Sequence, residues 1–398
     1  MAEAIPATGI KQTPESQELT LKTIRDAIPK HCFDRSLTIS CAYVARDLLY
    51  ASVLFYAALQ IDLIPSQPLR ILAWTAYGFA QGCVGTGIWI LAHECGHGAF
   101  SPYTLVNDII GWALHSLLLV PYFSWKITHA RHHRYTNNTE RDTAFVPWTD
   151  KDYEARPRNL PAWLEHFEDT PIYSFLSLLM HQLAGWQMYL CFYVTAGTKS
   201  RPVQGKGNGW FGYQQSTSHF DPASSLWTEN QRHLIAISDF GLLLVGSAVW
   251  YLGQQVGLLK MALLYFVPYM WVHHWLVAIT YLHHTHRDIA HYTDATWTFT
   301  RGALSTVDRD FGFIGRHFFH HIIDHHVVHH LFSRIPFYRA EEATDAIIPV
   351  LGDQYHKEET GFLRSLAQTY KACQFVGETE KDSGVYHWVE TDKGVKAE

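Results

Sequence analysis

The chain has 398 residues, of which 47% are hydrophobic and only 17% are charged, with a formal net charge of -6. The charged fraction lies below the quarter that is usual for soluble domains. The small acidic excess argues against a nucleic-acid-binding surface, which needs basic residues in excess. Six cysteines without a C-x-x-C pair predict free thiols rather than a disulfide framework.

A polar segment, residues 1–40, precedes a predicted membrane domain at 41–352. The polar segment has no apolar core of the kind found in signal peptides, so no cleaved signal peptide is expected. A membrane helix needs about 20 apolar residues, and four segments approach or meet that length, the shortest with the help of tilt. We therefore predict spans near 48–64, 71–92, 236–257 and 261–282.

Two further apolar segments are interpreted as associated with the membrane without crossing it. Residues 109–125 are too short to cross and return, which predicts a re-entrant or interfacial segment. Residues 172–198 mix polar side chains with Leu, Trp and Tyr, which favours an interfacial amphipathic helix. This choice places all histidine clusters on one side of the membrane. Residues 197–222 are predicted to form a loop, and residues 353–398 a polar cytosolic tail.

Histidine is unusually frequent, with 26 residues, and much of it is clustered. In the first cluster His93 and His97 stand at i and i+4, which on a helix brings both imidazoles within reach of one metal ion. Two more clusters have H-x-x-H-H spacing, and on a helix their three nitrogens are expected to converge from one face. These clusters are His129, His132 and His133, and His326, His329 and His330.

The number of histidines favours two metal ions over one. Imidazole suits Zn, Cu, Fe and Ni, and a single structural zinc needs only four ligands. Paired E-x-x-H motifs, typical of carboxylate-rich di-iron bundles, are missing, since only Glu94 and His97 match one. A third H-x-x-H-H match shows that the pattern alone overpredicts metal sites, and a metal role is less favoured there. It consists of His317, His320 and His321.

Two other classes of protein stay open at this point. The first cluster also matches H-E-x-x-H, the zinc metalloprotease signature in which Glu94 would act as general base. A protease would leave the other clusters unexplained, and Gly96 is a poor residue within a helix. A histidine-rich metal transporter would place histidines inside its spans, where only His273 and His274 clearly lie.

At these motifs the sequence resembles the membrane fatty acid desaturases, most closely the oleate (Δ12) type of fungi and plants. The resemblance implies an all-α integral membrane protein of the endoplasmic reticulum. Four transmembrane helices would carry a cytosolic helical cap that holds a histidine-rich di-iron site, with both termini cytosolic. The segments that carry the resemblance are 20–22, 27–33, 92–97, 129–138, 275–286, 306–310 and 326–338.

The resemblance also implies cofactors, partners and ligands. The cofactors would be two ferrous ions, with O2 as co-substrate and electrons from cytochrome b5 and its NADH-dependent reductase. The chain has no H-P-G-G haem motif, so the donor is expected to be a separate protein. The substrate would be a fatty-acyl lipid, as phospholipid ester or acyl-CoA. The implied metal ligands are His93, His97, His129, His132, His133, His284, His326, His329 and His330.

Several positions depart from the family's pattern. Gly98 stands where plant members often have a further histidine, so that ligand is absent. This chain has histidine at four positions where other residues are usual in the family, namely His273, His283, His321 and His325. These changes fit either drift in a tolerant environment or altered chemistry. Altered chemistry would make the chain an ω3 (Δ15) desaturase, an acetylenase, a conjugase or a hydroxylase, of general or of specialised metabolism.

Charged residues near the clusters suggest supporting roles. Four carboxylates are candidates to orient ligand imidazoles through their second nitrogen, or are ordinary solvated or capping acids. They are Glu94, Asp294, Asp308 and Asp324. Arg131 and Arg134 could meet an acyl headgroup phosphate or the acidic face of cytochrome b5, although arginines flanking a membrane are common.

Overall fold

The computed structural model describes residues 19–155, 170–202 and 216–390, and these are mostly helical. Side-chain caps begin several helices: the hydroxyl of Thr20 accepts from the backbone N–H of Thr23, and Ser36 caps the next helix in the same way. The main helices are α1 Leu21–Ala27, α2 Leu37–Ala58, α3 Gln67–His97, α4 Thr104–Leu117, α5 Tyr122–Tyr135, α6 Pro171–Phe192, α7 Arg232–Val256, α8 Val267–His283, α9 Ala340–Leu351 and α10 Phe362–Ala372, of which α1 is the shortest at two turns.

Shorter helical segments connect these elements or carry single motifs. A four-residue helix and a π-helical turn lead directly into α8, so that helical structure is continuous from residue 258 to 283. The segment that bears the last histidine cluster is only six residues long. These short helices are Asp150–Ala155, Leu258–Met261, Phe299–Leu304, Gly312–His317 and His326–Leu331.

Within the described ranges, three helical stretches are long and apolar enough to cross a membrane. They contain most or all of three predicted spans, namely 48–64, 236–257 and 261–282. The remaining predicted span, 71–92, lies inside the 31-residue helix α3, which is not among these three. The three stretches are Leu37–Leu63, Glu229–Val256 and Leu258–His283.

Helices α4 and α5 form a bent pair that together is apolar enough to count as a fourth candidate, either a broken span or a re-entrant loop. The angle between them is 108°. The break falls inside 109–125, the segment predicted to be re-entrant or interfacial. The described residues therefore contain three or four candidate spans by length and composition.

Large apolar side chains point outward on α2 and α7. Leu49 on α2 is 60% exposed, and Leu243 on α7 is 68% exposed. Extended apolar surfaces of this kind are rare on soluble monomers and common where a protein meets lipid. The outward faces of these helices are therefore compatible with a bilayer.

Helix α3 is the centre of the helical assembly and contacts α2, α4 and α8. The approach to α8 is close, because a Cβ on Gly82 would lie 2.3 Å from the Cβ of Trp271. Helix α3 ends directly after His97, where Gly98 adopts a left-handed φ of 70°. Glycine adopts this conformation without steric cost. The glycine that replaces the family's further histidine thus terminates the helix that carries the first cluster.

Two small sheets correct the expectation of an all-α chain. A three-stranded antiparallel sheet has the order β1-β5-β4, and a two-stranded parallel sheet pairs β2 with β3. Strand β5 has the sequence VYHWVE, in which β-branched and aromatic residues favour extended structure. The strands are β1 Ala290–Tyr292, β2 Asp308–Arg309, β3 Lys357–Glu358, β4 Cys373–Glu378 and β5 Val385–Glu390.

The region predicted to be a polar tail, 353–398, packs on the rest of the chain as far as it is described. Strand β5 pairs with β1, and the hydroxyl of Tyr355 donates to Asp308 at 2.7 Å. Residues 1–18 of the predicted N-terminal segment, 203–215 of the predicted loop and 391–398 lie outside the described residues.

Candidate metal centre

The nine histidines named from the sequence as metal ligands converge in the fold, although they come from four separate parts of the chain. They divide into two adjacent groups. In the first, five ligand nitrogens lie within 4.8 Å of one another. The first group is His93, His97, His129, His133 and His329. The second group is His132, His284, His326 and His330.

The first group is built at the junction of α3 and α5. His93 and His97 project from the last turn and a half of α3, and their Nε2 atoms are 3.1 Å apart. Nε2 of His129 on α5 lies 3.0 Å from that of His97 and 3.1 Å from that of His133. His329 completes the group from the short helix after residue 325, with its ring centre 4.8 Å from that of His93.

The second group lies at the end of α8. His284 caps the C-terminus of this helix, and its Nε2 is 3.2 Å from that of His132 and 3.3 Å from that of His326. His330 closes the group with its Nε2 3.0 Å from that of His326. The rings of His330 and His133 stack with centres 4.1 Å apart, so the two groups are in direct contact.

Each H-x-x-H-H cluster divides between the two groups, which differs from the expected convergence of all three nitrogens. His132 lies in the second group, apart from the other two histidines of its own cluster. His329 likewise lies in the first group, apart from His326 and His330. Residues on an α-helix advance by about 100° each. Positions i and i+4 therefore differ by about 40° and stay together, whereas i+3 lies about 60° to the other side.

The contacts between imidazoles fit shared cations better than hydrogen bonds. Nε2 of a neutral imidazole carries either one proton or one lone pair, so His97 cannot bond both His93 and His129 at once. Nε2 of His329 is buried and has no hydrogen-bond partner in the part of the chain that the structure describes. Nitrogens bound about 2.0–2.1 Å from one ion would be separated by about 3 Å, as found here. The residues present thus fit metal ions at both groups.

Hydrogen bonds at Nδ1 orient the second group. Nδ1 of His132 lies 2.7 Å from Oδ1 of the buried Asp142, and Nδ1 of His326 lies 3.3 Å from the carbonyl oxygen of Ile322. Nδ1 of His330 lies 3.1 Å from the hydroxyl of Thr136, which donates to the carbonyl of His132. A proton on Nδ1 leaves the lone pair on Nε2 free for a metal.

Sequence reasoning missed Asp142 as an orienting carboxylate. Its only sequence signal is a run of turn-forming residues, 136–139, which folds the chain back after the second cluster. Asn137 in this run has a positive φ of 58°, and its backbone N–H donates to Asp142 at 2.9 Å. The turn thereby returns the carboxylate to a histidine ten positions earlier.

Of the four carboxylates proposed for this role, only Glu94 approaches the imidazole of a candidate ligand, with Oε1 3.4 Å from Nδ1 of His93. Asp308 instead accepts the backbone N–H of Val327 at 2.7 Å, and so holds the start of the last cluster's helix. Asp294 binds Asn138 and Arg141, and Asp324 lies 3.3 Å from His321.

Burial favours the neutral form of the candidate ligand imidazoles in the last cluster. Loss of solvation holds the pKa of His326, His329 and His330 well below the usual range, and the neighbouring histidines lower it further. Neutral imidazole is the form that binds metal. The environment therefore favours the ligand state at neutral pH.

Other histidines singled out from the sequence lie outside the two groups. His320 of the third H-x-x-H-H match bonds the buried Asp47 at 2.7 Å, which ties it to α2. The two ring nitrogens of His283 face backbone carbonyl oxygens, Nδ1 that of Ile279 at 2.6 Å and Nε2 that of Ile323 at 3.0 Å, and the neutral ring donates to one of them. Also outside are His273, His317, His321 and His325.

The two arginines proposed for headgroup or partner contacts differ in exposure. Arg131 is partly buried, and its guanidinium donates to the carbonyl oxygen of Leu226 at 2.7 Å. Arg134 is exposed, one turn further along α5. Of the pair, Arg134 is therefore the one free to meet a headgroup or another protein.

Comparison with known proteins adds to this geometry. A sequence model of the fatty acid desaturase family matches residues 70–361. The chain is 46% identical to an oleate hydroxylase of Claviceps purpurea, over 90% of this chain and 77% of the relative. It is 41% identical to an endoplasmic-reticulum omega-6 fatty acid desaturase of Glycine max, over 92% of this chain and 89% of the relative. It is also 41% identical to a Δ12 fatty acid desaturase of Mortierella isabellina, over 90% of this chain and 88% of the relative.

Proposed function

The chain belongs to the fatty acid desaturase family, and from this premise we propose that it introduces a Δ12 double bond into oleoyl lipid with two iron ions. The observation that supports this most strongly is the convergence of nine imidazoles in two touching groups. The first group would hold one iron and the second group the other. When bound, these ions supply the oxygen chemistry that removes hydrogen from an unactivated methylene, which acid–base side chains cannot do.

The protein's own contribution is to position the ligands and exclude water. Asp142 fixes the ring of His132, and Thr136 links the second cluster to His330. Trp125 stacks on His129 with ring centres 4.3 Å apart, and Trp89 stacks on His93 at 5.6 Å. These two indoles form an apolar surface next to the first group. An acyl chain packed against this surface would approach the metals without admitting water.

The family and the apolar helices also support a cellular setting. We propose a multi-pass protein of the endoplasmic reticulum membrane, with both termini and a cap of short helices around the histidines on the cytosolic side. Electrons would come from cytochrome b5 and its NADH-dependent reductase. The substrate would be an acyl lipid, as phospholipid ester or acyl-CoA. The exposed Arg134 is a candidate contact for the acidic donor protein or for a lipid phosphate.

Hydroxylation of oleoyl lipid is the second candidate function. It is favoured by the relative named oleate hydroxylase, which is 46% identical to this chain. Relatives named Δ12 desaturases follow at 40–41% identity. Other sister reactions of the family, ω3 desaturation and triple-bond or conjugated-diene formation, would use the same metals and differ in where the acyl chain is held.

A zinc protease based on the H-E-x-x-H match is not supported by the position of Glu94. Its Oε2 accepts the backbone N–H of Phe337 at 3.2 Å, and its Oε1 lies on the Nδ1 side of His93. A general base would have to stand on the Nε2 side, where a metal-bound water would lie. The family also leaves no reason to retain a metal transporter.

Expression in yeast with analysis of total fatty acids by mass spectrometry tests the proposal. A new diene derived from oleate is expected for Δ12 desaturation, and a hydroxy acid would identify the second candidate. His132→Ala should abolish either product, whereas His317→Gln, from the H-x-x-H-H match outside the site, should retain it. Unchanged lipids in cells that contain the protein, or purified protein without iron after reducing preparation, would overturn the proposal.

A further inference from the structure

A row of aromatic rings leads from the first histidine group into the core between the long helices. The ring centres of His93 and Trp89 are 5.6 Å apart, those of Trp89 and Trp186 6.1 Å, and those of Trp186 and His273 6.3 Å. The row crosses from α3 to α6 and then to α8. It therefore marks a continuous buried path from the proposed irons to His273.

Three polar atoms along this path have no hydrogen-bond partner among the described residues. They are Nε1 of Trp89, Nε1 of Trp186 and Nε2 of His273. Both indoles are 8% exposed and His273 is fully buried. A buried polar group without a partner is costly, and native proteins rarely leave several together. The three atoms belong to neighbouring rings of one row, and a bound molecule with polar groups in that row would satisfy them.

The neighbours of His273 determine which kind of group its free nitrogen can bind. Nδ1 lies in hydrogen-bond contact with the side chain of Gln187. The amide orientation that satisfies all neighbours has the carbonyl of Gln187 accepting from Nδ1, while its nitrogen donates to the carbonyl of Leu183 at 2.9 Å. The proton of the neutral ring is then on Nδ1. Nε2 is left as a hydrogen-bond acceptor without a donor.

We propose that His273 and Trp186 form a binding site for a hydroxyl group carried by the acyl chain. The hydroxyl would donate its proton to Nε2 of His273 and accept the indole N–H of Trp186 on its oxygen. A hydroxyl supplies both a donor and an acceptor, which the two partners require and which a plain hydrocarbon chain lacks. This inference rests on the proposed function and defines its substrate class as hydroxylated acyl lipid in addition to oleoyl lipid.

Competition between two acyl chains tests the site. Yeast microsomes containing the wild-type chain receive equimolar oleoyl lipid and one member of a series of monohydroxylated octadecenoyl lipids, with the hydroxyl moved along the chain. The ratio of hydroxylated to plain substrate converted is measured by mass spectrometry. The wild type should favour at least one positional isomer. His273→Leu and Trp186→Phe should each lower that ratio about five- to tenfold, within the range expected for one hydrogen bond.

His274→Leu is the matched control, because His274 is the next residue of α8 and its ring packs on Trp271 and Phe362 outside the row. Its ratio should equal that of the wild type. An arm with oleoyl lipid alone shows whether the hydroxyl can be this enzyme's own product, since a hydroxylated product would then appear without any supplied.

Three results would overturn the inference. One is a ratio unaltered by both His273→Leu and Trp186→Phe at wild-type protein levels. Another is a wild type that converts oleoyl lipid but favours no hydroxylated isomer, which would leave an ordered water as the partner of these atoms. The proposed function survives both of these. If the wild type converts neither substrate, the proposed function fails and the inference fails with it.

Discussion

Asp142 lies 2.7 Å from the Nδ1 atom of His132, and both side chains are buried. The carboxylate also accepts the backbone N–H groups of Asn137 and Ala144, each at 2.9 Å. The turn therefore holds the carboxylate of Asp142 in place, and the carboxylate fixes the orientation of the His132 imidazole. Nε2 of His132 faces Nε2 of His284, which belongs to the third of the four histidine segments in chain order.

Replacing Asp142 with alanine tests this arrangement. Loss of an outer partner of a metal ligand costs about 10–100-fold in metal affinity or activity, so Asp142→Ala should lower iron content or conversion of oleoyl lipid by that factor. Asp353→Ala is the control, because Asp353 is exposed on the last turn after α9. Equal iron content and conversion in the two variants would show that Asp142 does not position the metal centre.

The C-terminal strand β5 should be needed for the site, although it contributes no ligand. Trp388 is 8% exposed and packs edge-on against His291 of β1. The next residue of β1, Tyr292, exchanges backbone hydrogen bonds with Asn137 and Thr139 in the turn that leads to Asp142. Strand β5 thus packs against β1, and β1 in turn holds the segment that leads to Asp142.

We expect Trp388→Ala to destabilise the protein by about 3–5 kcal/mol, as for other buried aromatic side chains, and to reduce product formation. Val389→Ala, on the opposite and 36% exposed face of the strand, should change stability by about 0.5 kcal/mol or less. Thermal unfolding in detergent and lipid analysis measure both effects. A Trp388→Ala protein with wild-type unfolding and product would contradict the supporting role.

Restoring the family's further histidine at Gly98 should not improve the enzyme. With φ at 70°, a residue with a Cβ atom incurs a steric cost of about 1–2 kcal/mol at this position. Gly98→His is therefore expected to lower the unfolding temperature without raising activity. Gly98→Asn should be milder, since asparagine tolerates this conformation. An increase in iron content or product in Gly98→His would show that the helix can end differently.

Iron binding should resist mild acid. Protons compete with metal for an imidazole below its pKa, which is about 6.5 when exposed. Burial lowers the pKa of His326, His329 and His330, so proton competition begins at lower pH than at an exposed site. Iron measured after dialysis at pH 7.5, 6.5 and 5.5 should fall only at the most acidic step. Loss of half the iron near pH 6.5 would indicate ligands open to solvent.

The sequence predicts the long apolar helices of this protein but not its short strands. Three predicted spans coincide with long apolar helices, because a run of apolar residues is a local property. The strand β5 was interpreted as polar tail, although its alternating valine and aromatic residues favour extended structure. Strand pairing with β1, about 95 positions earlier in the chain, gives those residues a partner that no local pattern reveals.

The sequence by itself determined the family and which histidines are candidate ligands, since the motifs and their spacing at i, i+3 and i+4 are fixed by covalent order and helical period. Only the tertiary structure decided how these histidines are shared. His132 and His329 exchange places between the groups because their rings point about 100° away from His133 and His330, and the neighbour in that direction belongs to a distant segment. Which distant segment it is depends on packing, as does the return of Asp142 to His132.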